Sequence, residues 1–319
     1  MRDNPNSAIR LYLALTFLFS AVLWGLVIWS GHLYMGFGLL VPALMWCPAL
    51  ATLVTCRILG RQLRSLAWGW PKNRYVAIAY FVPLAYASIA YGTVWACRLA
   101  GWNSEFVSLV TREFGLRGMP SWASLSLYII SMATGGLILN LSTALGEEIG
   151  WRGFLVPELA RHMSFTRVGL LSGIVWTAWH VPLLMFADYN AGTNRWYALG
   201  CSTVVLVGLS FILAWLRLKS GSLWPAAFLH ASHNLFIPCI FDNLIRNTGS
   251  TLWYTTQFGA ALAVASLSFA LYFWTQRDEV EPQNEEKLRY QLSCLDKPLP
   301  LVSPVDGDLS STATIQAHC

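Results

Sequence analysis

Glu147 and Glu148 stand side by side, and Arg152 follows four residues after the second. On a helix that spacing turns Glu148 and Arg152 towards one another, so that they can pair, while Glu147 points about 100° away. One arginine for two adjacent carboxylates leaves one acid without a local partner. That is how a fold separates a structural carboxylate from a reactive one. His180 lies four residues after Trp176 and two before Pro182, a proline that loosens the helix just beyond the histidine. His230, His233 and Asn234 form a third cluster, spaced so that all three share one helical face. Two glutamates, two or three imidazoles, an amide and a guanidinium are the equipment for activating water, directly by general base or through a metal ion. Singly, each cluster has a plainer reading: charges at a helix end, a packed histidine, an interhelical hydrogen-bond seam. Together they can meet only inside a helix bundle.

The elements that must hold them are apolar. Of 319 residues, 55% are hydrophobic and 12% charged, and the mean hydropathy is +0.50; soluble chains carry roughly 25% charge. Eight of the sixteen acids fall after residue 276, so only eight lie in the first 275 residues. This excludes a soluble enzyme and a disordered chain. It also excludes a nucleic-acid binder, because the net charge of +5 is spread over loops between apolar runs. The expected fold is all-α, a polytopic membrane helix bundle of about eight transmembrane helices. The spans fall at roughly 11–30, 36–56, 75–97, 123–145, 168–187, 197–216, 223–244 and 253–275, near the ~20 residues that cross a bilayer core. Residues 1–275 form the transmembrane domain, and 276–319 a polar cytoplasmic tail with one helix over 284–294. The seven cysteines include no C-x-x-C pair, and Cys47, Cys56, Cys97, Cys201 and Cys239, in or at the ends of apolar runs, read as packed free thiols.

Lys and Arg fix the orientation. The loop with Arg57, Arg61, Arg64, Lys72 and Arg74 is expected in the cytoplasm, and alternation then places sixteen basic residues on that side and five on the other. Both termini are cytoplasmic on this reading. The span limits leave a tension: Glu147 falls near the membrane surface, while His180 lies about 20 Å along its helix. Either the fourth span ends later, or the fifth is tilted or starts earlier.

The run EEIGWR from Glu147 to Arg152 fits E-E-x-x-x-R, Trp176 to His180 fits aromatic-x-x-x-H, and His230 to Asn234 fits H-x-x-x-N. In that order, in an eight-span chain, they resemble the CAAX prenyl protease and bacteriocin-processing family of intramembrane endopeptidases. The resemblance covers a peptidase core at about 123–245. It implies a cavity open to the cytoplasm in which Glu147 and His180 activate water and His230 and Asn234 stabilise the oxyanion. Glu148 and Arg152 then hold the helix end, and His233 only packs. The family often has Phe where this chain has Trp176. Zinc bound by Glu147, His180 and His230 and a metal-free glutamate route both remain open, although H-E-x-x-H is absent.

The implied partners are the lipid bilayer and a peptide or protein substrate, prenylated or otherwise membrane-associated, with no nucleic acid. The expected setting is a prokaryotic plasma membrane rather than the endoplasmic reticulum. A non-proteolytic immunity or scaffold protein is the rival, but a scaffold has no reason to bury two Glu and two His. A transporter predicts repeats in matching halves, and none is visible. Orientation gives a first test. A cysteine replacing Ser65 should resist impermeant labelling from outside intact cells; labelling there would invert the topology.

Overall fold

The computed structural model describes residues 5–33 and 38–281. The predicted tail helix at 284–294 lies outside the described residues. In chain order the helices are α1 (Pro5–Ser30), α2 (Leu40–Met45), α3 (Cys47–Leu59), α4 (Asn73–Ala96), α5 (Ser104–Glu113), α6 (Ser121–Ser131), α7 (Leu137–Glu148), α8 (Val156–Ala160), α9 (Phe165–Phe186), α10 (Arg195–Ser220), α11 (Trp224–Asn234), α12 (Asp242–Leu244) and α13 (Ala260–Thr275). Two short strands, β1 (Gly101–Trp102) and β2 (Ile245–Arg246), pair antiparallel. They tie the loop after α4 to the end of α12.

The chain is a helical membrane bundle. A helical run stands at each of the eight predicted spans, and six of them are long and apolar enough to cross a bilayer. The seventh runs from α11 through a π-helical segment, Leu235–Phe241, into α12. The eighth, α13, has only 16 residues. It begins at Ala260 rather than near 253 because Thr256 adopts a left-handed φ of 64°. Gly259 then packs so tightly that a Cβ there would stand 2.3 Å from the Thr255 carbonyl oxygen.

The fourth span departs most from its predicted limits of 123–145. Helical structure continues from Ser121 to Ala160, 40 residues in all. Two π-helical segments, Met132–Gly136 and Ile149–Leu155, are inserted in it. Hydropathy places the end at the first charges, yet those charges are buried and hydrogen-bonded inside the bundle, so nothing stops the helix there. This resolves the depth tension. Glu147 lies 13 residues before Ala160 and His180 15 residues after Phe165; at ~1.5 Å per residue both sit roughly 20 Å from neighbouring helix ends.

Two small-residue seams bring the helices close. A Cβ on Gly146 would lie 2.8 Å from the Met45 carbonyl oxygen, and one on Gly150 would lie 2.5 Å from both Pro48 and the Tyr12 hydroxyl. Glycine at this spacing lets α7 and its π-helical extension press against the α2–α3 junction and α1. On α9, a Cβ at Gly173 would be 2.7 Å from the Val207 Cα of α10. The central α10 packs on α9, α13 and α11, and α11 packs on α4 and α7. Outward faces stay apolar: Val22, Ile138 and Leu139 are each about two-thirds exposed at 66%, 69% and 70%, as a lipid-facing surface requires. At one end, Arg61 pairs with Glu158 at 2.9 Å. There Glu281 accepts the Phe165 amide of α9 at 2.8 Å, a carboxylate at a helix N-terminus.

Candidate active site

The last two residues of α7 are Glu147 and Glu148, and both are buried. Glu148 is fully enclosed. Its Oε1 accepts from Arg152 Nη1 at 2.8 Å and from His230 Nδ1 at 2.9 Å, while Oε2 has no hydrogen-bond partner among the described residues. Arg152 is equally enclosed. It donates from Nη2 to Ser210 Oγ of α10 at 3.0 Å, and its guanidinium lies 4.4 Å over the Trp176 ring. Its backbone carbonyl accepts from Arg217 Nε at 2.9 Å. A π-helical turn disturbs the usual i→i+4 ladder, and the α10 side chain meets that carbonyl from outside the helix.

Glu147 points away from this ion pair. Its Oε2 accepts two indole donors, Trp151 Nε1 at 3.2 Å and Trp176 Nε1 at 2.7 Å, and it forms no ion pair among the described residues. One turn after Trp176, His180 donates from Nδ1 to the Trp176 carbonyl at 2.9 Å. A carbonyl can only accept, so Nδ1 carries the proton and Nε2 presents a lone pair. The imidazole stacks on Tyr189 at 5.7 Å between ring centres. His230 packs edge-on against Trp176 at 5.2 Å. Trp176 therefore touches Glu147, Arg152, His180 and His230 together.

The three polar residues of α11 do not act as one stripe. His230 faces α7, but His233 reaches α4, where its Nδ1 bonds the Tyr86 hydroxyl at 2.6 Å. Three residues on a helix leave an offset of about 60°, enough to reach a different neighbour. Asn234 closes α11, is half-buried and makes no side-chain hydrogen bond among the described residues.

Among the described residues no three His, Cys, Asp or Glu side chains converge as a metal-ligand set. Glu147, His180 and His230, the three expected zinc ligands, are not brought together as such a set among the described residues. Sequence reasoning missed Ser210, Arg217, Tyr86 and Tyr189. Only Arg217 carried a signal, as a charge at the end of an apolar span. It also missed the donor role of the two indoles, which spacing alone cannot reveal.

The buried pair makes a stability prediction. Arg152→Ala strands a carboxylate in the interior, a loss of about 3–5 kcal/mol. It should lower both the amount of folded protein and its thermal midpoint in detergent. Unchanged values would show that the pair contributes no stability.

Two comparisons bear on this arrangement. Residues 129–236 match the type II CAAX prenyl endopeptidase Rce1-like family. The chain is also 32% identical over 106 residues to CAAX prenyl protease 2 of Methanococcus maripaludis, a match covering 31% of this chain and 38% of that relative. The chain thus spans well under half the length of that relative. The stretch that matches this Rce1-like CAAX prenyl endopeptidase family is the one that carries all three motifs.

Proposed function

We propose that the protein is an intramembrane endopeptidase of the CAAX-processing type. One observation carries this reading: of two adjacent buried carboxylates, Glu148 is ion-paired with Arg152 and hydrogen-bonded by His230, whereas Glu147 meets only indole donors. A carboxylate held without an ion-pair partner is placed to act as a general base.

In this mechanism Glu147 accepts a proton from water as the oxygen attacks the scissile carbonyl carbon. His180 aligns that water through Nε2, the nitrogen left free by its bond to the Trp176 carbonyl. Negative charge gathers on the former carbonyl oxygen. His230, through the nitrogen not bonded to Glu148, and Asn234 donate to it. Glu147 then passes its proton to the leaving amine. Every step uses this chain's own residues.

The substrate we propose is a membrane-associated peptide or protein; the relative's name suggests a prenylated one. We place the protein in a prokaryotic plasma membrane with both termini in the cytoplasm, in line with the distribution of Arg and Lys.

The test uses purified protein in nanodiscs with a panel of prenylated and unprenylated peptides. Glu147→Ala and His180→Ala should each abolish cleavage without loss of folded protein. His233→Ala should retain much of the activity that His230→Ala removes. Activity should survive exhaustive chelation. Cleavage that persists in Glu147→Ala would refute the assignment, and activity restored by zinc alone would replace the glutamate route with a metal one.

A further inference from the structure

Both indole donors to Glu147 fall on the same oxygen. Trp151 and Trp176 donate to Oε2, and Oε1 carries no hydrogen bond among the described residues. An indole N–H can only donate, so the direction of both bonds is fixed. Each ring is itself held. Trp151 stands edge-on between Tyr12 and Trp179, with ring centres 6.0 Å from each. Trp179 in turn donates to Ser20 Oγ at 2.8 Å. Trp176 is fixed by Arg152 on its face and His230 against its ring.

From this we infer that Trp151 and Trp176 form an indole clamp that orients the Glu147 carboxylate and leaves Oε1 as the oxygen that takes the water proton. They are positioning residues, because they act through Glu147. The inference deepens the peptidase reading and rests on it for its kinetic consequence. Its structural content stands apart from any activity. The clamp is specific to a tryptophan at 176. A phenylalanine there would keep the ring beneath Arg152 and the backbone carbonyl that holds His180, but lose the donor. Small misplacements of a reacting group carry large rate costs.

The experiment has two arms on the full chain in lipid nanodiscs. With 15N-labelled indoles, the Nε1–H resonances of Trp151 and Trp176 are assigned by their loss in Trp151→Phe and Trp176→Phe. Glu147→Gln should move both resonances and leave that of Trp224, bonded to the Trp68 carbonyl, in place. Indole resonances that ignore Glu147→Gln would overturn the clamp whatever the protein cleaves. In the peptidase assay, Trp176→Phe should lower kcat by roughly tenfold to a hundredfold, the loss expected for a hydrogen bond to a charged group, with KM within about twofold. Trp151→Phe, with the longer bond, should lose less. Unchanged kcat in both variants, or a loss carried wholly by KM, would overturn the proposal. A wild-type protein inactive on every peptide would refute the peptidase reading while the resonances still decide the clamp.

Discussion

An ionised carboxylate inside a helix bundle must be met by charge and donors from that bundle, and the packing around Glu148 is arranged to do so. Arg152 reaches it from the next turn and His230 from another helix. Arg152 is then held by Ser210 and Arg217 of α10 and by the face of Trp176 on α9. One buried charge thus recruits four helical runs. A charge at bilayer depth costs a few kcal/mol even by the lenient scales, so these contacts are a condition for the fold as well as for chemistry. The glycine seams serve the same end, since without Gly146 and Gly150 the run bearing both glutamates could not approach α1 and the α2–α3 junction.

Settling Glu148 in this way is what sets Glu147 apart. Neighbours in sequence, the two acids face different partners, a guanidinium and an imidazole for one and indole donors for the other. Trp176 links the two environments through its N–H, its face and its carbonyl. Two of the π-helical segments, Ile149–Leu155 and Leu235–Phe241, directly follow the two glutamates and Asn234. Such segments often mark functional positions, where they re-aim side chains within an otherwise regular helix.

What could be read from the sequence was local. The Glu148–Arg152 pair follows from helical spacing, and the divergence of Glu147 follows from the same rule. Apolar runs located the bundle. The bond from His230 to Glu148 could not be read, because it joins residues 82 positions apart and no periodicity encodes such a meeting. The fourth helix was cut short because hydropathy treats every charge as solvated. Here the charges are buried, Glu148 by pairing with Arg152 and Glu147 by accepting indole donors, so the helix runs on to Ala160. His233 was grouped with His230 by face, whereas α11 lies between α4 and α7 and offers each histidine a separate neighbour. The indole donors escaped notice since an aromatic at 176 reads as packing until its N–H is seen to have an acceptor.

The claim on which all of this turns is that Glu148 and His230 are coupled across two helices. A double-mutant cycle measures it directly: Glu148→Gln, His230→Gln and the double variant, each unfolded thermally in the same lipid nanodiscs. Coupled residues in one buried network show interaction energies of about 0.5–3 kcal/mol. The account predicts a value in the upper half of that range, with the double variant far less destabilised than the sum of the two single ones. Additive effects, within a few tenths of a kcal/mol, would contradict it.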